Sequence, residues 1–515
     1  MSRARHPLME MLVIAAPTVV TMTSYTVMQF VDALMVSRIE GDGPYVAAQG
    51  NGGIMAWLAI SFALGVIGMV NTFVSQNLGA EKLDRCASYA WAGLWISGGW
   101  SLVLGLLIPL APVIYGQMGH PEELLRLETQ YAQIMLSGML LTLAARSLAN
   151  FFFGMHRPSV VMIAALSGNV VNVMANALLI YGPDGPPAFV PFHAEIGAFA
   201  DSLGIPALGV AGAAVGTVIG SAVELVIPLA LFLGPKLNRE LGTRRAWRCG
   251  LKPIRDLLRL GWPGGLMFAN EMICWSYLMS VLLVRGGEAV GDDPALHNTA
   301  GWIGLRYMHL SFMPAVGLSI AVSAIVGKCM GMRRPDLAAQ RAWLGLGIAV
   351  VYMGVCAAAF VLFRDEMIRV FVDSDMPEEQ ATLLIGIGAK VMIAAAVFQV
   401  FDAVAIVISG ALRGAGDTVW PGVVTVISSW ICIVAGGHAL LHFAPQLGSI
   451  GPWIAAAAYI VVLGVLLLAR FLAGKWRSID LVGDDDHHGP SVAQPTPAAS
   501  GAAAEGDPEP VSVGG

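Results

Sequence analysis

Apolar positions in this chain come in long blocks separated by short polar connectors, with none of the alternation of a half-buried strand. Twelve blocks can be marked: 8–36, 50–78, 86–115, 124–152, 160–181, 208–234, 258–285, 302–330, 342–363, 380–411, 418–442 and 450–473. A helix needs about 20 apolar residues to cross the hydrocarbon core, and tilt or a kink absorbs the longer blocks. A segment in lipid must satisfy its own backbone groups, so each block is predicted to be a helix. The pattern therefore predicts an all-α integral membrane protein with twelve transmembrane helices. The first block follows Arg3 and Arg5, as a secretory leader would. It runs well past a leader's apolar stretch and carries Pro17, Tyr25, Gln29 and Asp32, so it reads as a retained helix.

The connectors alternate in charge. One set is basic: Arg3/Arg5, Lys82/Arg85, Arg157, the 235–256 segment, Arg333/Arg334/Arg341, Arg413 and Lys475/Arg477. The other is mainly acidic: Glu40/Asp42, Glu122/Glu123, Asp184/Glu195/Asp201, Glu288/Asp292/Asp293 and Asp373/Asp375/Glu378/Glu379. Basic loops stay cytoplasmic, which puts both termini inside and agrees with an even number of spans. The localisation this implies is a multi-pass protein of the cell (inner) membrane. The longest basic loop divides the chain into a first lobe, 1–234, a linker, 235–257, and a second lobe, 258–477. The segment 478–515 is rich in Pro, Gly, Ala and Asp and is expected to be a disordered acidic cytoplasmic tail. Its Asp484–His488 run reads as solvated linker before it reads as an ion site.

Composition sharpens this. Of 515 residues 56% are hydrophobic and 12% charged, and the mean hydropathy is +0.70. A soluble chain carries about 25% charged residues, so a soluble enzyme, a disordered scaffold and a nucleic-acid binder are excluded. The net charge of −6 comes from the tail: without its seven acids, 29 basic face 28 acidic residues. The six cysteines are scattered with no CxxC pair, so neither a disulfide framework nor a thiolate metal site is indicated.

The two lobes echo each other. Gly65 and Gly79 stand 252 residues before Gly317 and Gly331, with basic loops following both pairs. Each lobe opens with a proline-containing helix that carries a carboxylate, Pro17 with Asp32 and Pro263 with Glu271. Repeats of six spans keep the same orientation, and transporters built this way place their sites near the repeat interface. No phosphate loop, HExxH or GxSxG motif is present; Gly327-Lys328 lacks the rest of a phosphate loop. Any pumping must draw on an ion gradient.

Ionisable groups inside spans cost about 2.5–3.5 kcal/mol each on insertion scales, so each needs a reason. Thr18, Thr21, Tyr25, Gln29 and Asp32 recur at spacings of three and four and predict a polar stripe on the first helix. Asn169, Asn172 and Asn176 repeat the spacing in the fifth span. They suit either a hard-cation site completed by Asp32 or interhelical hydrogen bonds. Glu271 in the seventh span and Asp402, one turn from Gln399 in the tenth, are a second pair of acids suited to proton or cation exchange. Arg146, Glu224, Arg306, Lys328 and Lys390 are accounted for by snorkelling or ion pairing, with Glu224 the strongest functional candidate among them.

These residues resemble those of the multidrug and toxic compound extrusion (MATE) transporters over about 8–473. The resemblance rests on Pro17 with Phe30-Val-Asp-Ala-Leu-Met, on Gly261-Trp-Pro-Gly before Glu271, and on Phe398-Gln-Val-Phe-Asp402 running into Ser409-Gly-Ala-Leu-Arg-Gly-Ala-Gly-Asp-Thr418. It implies two six-helix lobes in a V, exporting organic cations or drugs in exchange for Na⁺ or H⁺. Asp32 matches the family's first-lobe acid, and Asn172 and Asn176 match its fifth-span partners in the NorM-like branch. Glu271 and Asp402 match that branch's second-lobe acids, and the amide at Asn176 separates the chain from the DinF-like branch. Cation and substrate contacts are thus expected at Asp32, Asn172, Asn176, Glu271, Asp402, Gln29, Tyr25 and Gln399, with Na⁺ at Asp32, Asn172 and Asn176 as one option. The connector Gly182 to Leu208 departs from the pattern and is expected to cover part of the outer mouth. The reading requires no cofactor beyond the coupling ion, no nucleic-acid partner, and a monomer surrounded by membrane lipid. A lipid-linked saccharide flippase of the same superfamily is the alternative, and an intramembrane transferase or a channel follows it.

Overall fold

The computed structural model describes residues 6–39, 43–187, 190, 192–372 and 376–483. Arg3, Arg5, Glu40, Asp42, Asp373, Asp375 and the acidic tail from 484, with its Asp484–His488 run, lie outside the described residues. Among the described residues the chain is helical without a strand. The spans are α1 (Pro7–Val36), α2 (Tyr45–Gly79), α3 (Leu83–Gly105), α4 (Glu122–Ser137 and Met139–Gly154), α5 (Pro158–Leu179), α6 (Val210–Phe232), α7 (Leu251–Val290), α8 (Pro294–Gly331), α9 (Pro335–Leu362), α10 (Glu378–Ala415), α11 (Val419–Phe443) and α12 (Ile450–Leu472). Ten are long and apolar enough to cross a membrane, α4 is an eleventh bent by 47°, and α3 fills the third expected block.

Local sequence sets the ends. Pro7, Pro158, Pro294 and Pro335 open their helices in the first turn, where a missing N–H costs nothing. Asp293 caps α8 by accepting from the Ala295 N–H at 2.9 Å. The third helix stops at Gly105, ten residues before the expected edge, and a short helix, Ala111–Gly116, follows. Pro109 and Pro112 explain the break, since proline offers no N–H and pushes the residue before it out of the helical region. The bend in α4 falls at Gly138, where a Cβ would run into Val218 of α6. Both α7 and α11 widen into π turns, at Leu278–Leu282 and Trp430–Gly436. The connector 182–208 holds a helix, His193–Ser202, with Gly185 and Gly197 in contact and Ile196 against the core of the first six helices.

Helices α1–α6 and α7–α12 form two halves, joined chiefly through α1, α2, α7 and α8. The seam is made of glycine. A Cβ on Gly65 would strike the α7 backbone at Gly265, and one on Gly317 would strike α1 at Val19. Gly79 faces the Lys328 carbonyl and Gly331 faces the Gln76 carbonyl. Each half also lends its first helix to the other's core: Met11 of α1 lies in the second half's cluster and Leu257 of α7 in the first's.

Hydrogen bonds between the halves gather at the basic-loop end. Thr72 donates to the Arg413 carbonyl at 3.0 Å, Gln76 to the Gly414 carbonyl at 2.9 Å, and His156 lies 3.1 Å from the Ala324 carbonyl. Arg341 pairs with Glu10 at 2.8 Å. Past α12 the chain turns back beneath this seam. Trp476 stacks on Phe471, Ile479 packs on the second half, Leu481 packs on the first, and Arg85 donates to the Val482 carbonyl at 3.2 Å. At the acidic end bonds tie helices within each half, as in Asn51 to Glu128 at 2.9 Å and His297 to Ser449 at 2.6 Å.

The seam gives a direct test. Gly331→Ala should cost about 1–3 kcal/mol, the usual range for overpacking, because the obstacle is the Gln76 backbone. Gly99→Ala, with nothing within 4 Å of the added Cβ, should hold or slightly raise the thermal midpoint of the purified protein, since alanine is the better helix former. Equal midpoints for the two variants would refute the backbone seam.

Candidate functional site

Asp32 lies one turn from the end of α1 and meets α5. Asn176 donates to its carboxylate at 2.5 Å and to the Asn172 side-chain oxygen at 3.1 Å. Asn172 donates to Thr217 of α6 at 3.4 Å. The spacing of four puts both asparagines on one face of α5, and Gly216 of α6 lets the Asn176 side chain lie against its backbone. Asn176 is fully buried, and its side-chain oxygen has no hydrogen-bond partner. An orphaned buried oxygen is rare, because it forfeits its hydration without return. The oxygen lies against the Gly216 backbone of α6, while the amide nitrogen faces the oxygens of Asp32 and Asn172, so it is the NH2 group that bridges the two acceptors. Tyr131 of α4 is within electrostatic reach of Asp32. Asn169, one turn earlier, donates instead to the Ser24 carbonyl at 3.2 Å.

The stripe expected on α1 divides. Thr18 and Thr21 bond to carbonyls of their own helix, at 2.6 Å to Ile14 and 2.7 Å to Pro17. Gln29 is exposed and takes no part in the Asp32 cluster's hydrogen bonds. Tyr25 joins a different group: its hydroxyl donates to Glu224 of α6, and the Arg146 guanidinium of α4 lies 3.9 Å from its ring centroid. Arg146 and Glu224 pair at 3.4 Å, which gives both charges the partner that burial demands.

In the second half, Glu271 of α7 accepts from the Tyr459 hydroxyl of α12 at 2.9 Å. Asp402 of α10 lies within electrostatic reach of both Glu271 and Tyr459, so three helices converge on the acid pair. Arg413, about three turns further along α10, also acts on Glu271. Gln399 turns away to α8, donating to Ser311 at 2.9 Å. Asn270, beside Glu271, is a fastener: it donates to Ser429 at 2.8 Å and accepts from Trp430 at 2.8 Å, where α11 widens.

The sequence reading missed Thr217 and Tyr459, single polar residues in apolar blocks, and Tyr131, which sits among the polar residues Glu128-Thr-Gln and Gln133 at the start of its block. It also missed Glu128, fully buried between Asn51 at 2.9 Å and His120 at 2.8 Å. One grouping has the residue types of nucleophilic chemistry: His297 sits 2.6 Å from Ser449 and 3.1 Å from Asp292. Ser449 is 1% exposed, so no substrate reaches its hydroxyl, and the group serves to fasten α8 to the start of α12.

Two halves of six helices with carboxylates held inside each define a membrane transporter, not an enzyme. A match to MatE covers residues 17–178 and 267–436, and the chain belongs to that family. It is 27% identical over 471 residues to a probable multidrug resistance protein NorM of a Synechococcus species, covering 91% of this chain and 94% of the relative. It is 26% identical over 473 residues to a NorM of Pseudomonas putida, with coverage of 91% and 94%. Among solved structures, a MATE protein in complex with MaL6 superposes with a TM-score of 0.78 at 20% identity, covering 92% of this chain and 98% of that one. An outward-facing multidrug resistance MATE transporter of the MOP superfamily also gives 0.78 at 20% identity, with coverage of 92% and 97%.

The fastener role of Asn270 is testable. Asn270→Ala strands Ser429 and Trp430 and should cost about 1–3 kcal/mol, the penalty for buried unpaired groups. The thermal midpoint should fall while transport per folded molecule holds. Lost transport at an unchanged midpoint would make Asn270 part of the transport site.

Proposed function

We propose that this protein exports organic cations and drugs in exchange for Na⁺ or H⁺, by alternating access between its two halves. The observation that carries the reading is the Asp32–Asn176–Asn172 cluster, a carboxylate inside a membrane span whose partner is an amide NH2 and not a basic side chain. Na⁺ would draw on Asp32 and on the Asn172 side-chain oxygen, the two hard ligands that the Asn176 NH2 group bridges, and on the Asn176 oxygen once that amide turns over. A proton would use Asp32 alone. Glu271 and Asp402 form the acid pair of the second half, suited to an organic cation or to the coupling ion. Two cations on one carboxylate repel strongly in a low dielectric, so ion entry would expel the drug. The names of the relatives, probable multidrug resistance proteins, support this cargo.

Basic loops face the cytoplasm, so the sealed seam is the cytoplasmic gate, both termini are inside, and the site opens outward in a bacterial-type inner membrane. The protein works as a monomer, each half rocking as one lobe. A lipid-linked saccharide flippase would need a cationic cavity. A further structure with a TM-score of 0.78 at 20% identity, a MOP superfamily transporter of Pyrococcus furiosus, is described as having a binding pocket of reverse polarity. The fold thus tolerates either sign. The acids at Asp32, Glu271 and Asp402 favour a cationic cargo here.

Inside-out vesicles loaded with the purified protein should accumulate a fluorescent organic cation under a Na⁺ gradient or a pH gradient. Asp32→Asn and Glu271→Gln should each reduce the gradient-driven rate at least tenfold with folded protein retained. Full transport in both variants would overturn the site assignment. Transport under neither gradient would overturn the antiport reading in favour of a flippase.

A further inference from the structure

The glycine seam gives an internal frame for comparing the halves residue by residue. Pro17 and Pro263 fix α1 on α7 at 246 residues, and Gly65 and Gly317 fix α2 on α8 at 252. Under those two offsets the contact of Gly317 with Val19 becomes the contact of Gly65 with Gly265, and both are present. Gly79 against Lys328 becomes Gly331 against Gln76, again both present. Gly154 meets the Asn71 backbone as Gly414 meets that of Ser323, which fixes the ends of α4 and α10 at 260 residues. Gly209 and Gly448, 239 residues apart, share the same unusual backbone before α6 and α12, φ +57 and +54 with ψ −129 and −137. The repeat is therefore a near twofold relation in space.

In this frame Glu271 stands at the position of Tyr25. Asp402 stands at that of Thr142 and Tyr459 at that of Gly220; one turn further toward the basic end, on the same two helix faces, are Arg146 and Glu224. The three helix faces that gather Glu271, Asp402 and Tyr459 in the second half thus gather Tyr25, Arg146 and Glu224 in the first. The second-half group holds two acids and a phenol. The first-half group holds one acid, a phenol and a guanidinium, which lies on the phenol's ring face at 3.9 Å and beside the carboxylate at 3.4 Å. An aromatic face with a carboxylate at its edge is how proteins hold guanidinium and other organic cations.

We infer that Tyr25 and Glu224 form a cation subsite in the first half, the repeat counterpart of the acid pair in the second, and that Arg146 is a tethered guanidinium keeping it filled. The ligand class is a small guanidinium or amidinium, or the cationic end of a larger drug, in competition with Arg146. In calling the counterpart a cation site, the inference rests on the function proposed above. The side chains of Arg146 and Glu224 keep 25% and 12% of their surface exposed, so the pair is not sealed in the core. An ion pair serving only to fasten α4 to α6 would not need the ring of Tyr25.

The test is chemical rescue in detergent-purified protein, with methylguanidinium as probe and KCl at matched ionic strength as control. Arg146→Ala should lower the thermal midpoint, and tens of millimolar methylguanidinium should restore at least half of the loss while leaving wild type unmoved. Adding Glu224→Gln should abolish the restoration. If Arg146→Ala fails to fold, Arg146→Met keeps the packing of the stem and carries the same test. No restoration beyond that seen in wild type, or restoration that survives Glu224→Gln, would overturn the inference. The readout is stability, so absence of export under every gradient would overturn the antiporter reading and leave this result standing.

Discussion

Everything in this molecule hangs on a contact between backbones. At Gly65, Gly79, Gly317 and Gly331 the two halves approach until a methyl group on any of them would strike main chain. A side chain can move aside; a helix backbone cannot, so the register of α2 against α7 and of α8 against α1 is fixed within a fraction of a turn. Small residues are how helices associate in a medium that supplies no hydrophobic drive between them. The hydrogen bonds of Thr72 and Gln76 to carbonyls of α10 exist only because the glycines bring those carbonyls within reach. Each half's core also takes in the first helix of the other, so the seam and the two cores are packed as one unit.

The twelve blocks were legible because lipid imposes one rule on every span, and helix is the only local answer to it. The alternation of loop charge and the 252-residue spacing of glycines were legible for the same reason: both are linear patterns. Features that depend on two distant segments were harder to read. Asn169, Asn172 and Asn176 look equivalent in sequence, yet one bonds to Ser24 and the other two turn toward Asp32 and Thr217, because only α1 and α6 decide which face of α5 is occupied. Tyr25 and Asp32 share a stripe by periodicity, but α4 supplies an arginine to one and a tyrosine to the other. Gln29 and Gln399 were drawn in by their neighbours in sequence. Gln29 is exposed, and Gln399 bonds to Ser311 of α8.

The two halves handle buried charge differently, and the difference follows from which residue each helix contributes. A carboxylate away from water needs a donor or a counter-charge. In the first half Glu224 receives both, from Tyr25 and Arg146, and is neutralised from within. In the second half Glu271 has a phenol donor and a second acid as neighbour, with Arg413 further off. The near twofold relation of the helices lets the two groups be compared position by position. Among the described residues, Glu271 meets a phenol and Asp32 an amide where Glu224 meets a guanidinium. The exchange proposed above would turn on this difference, since an acid without an internal counter-charge is costly to leave empty.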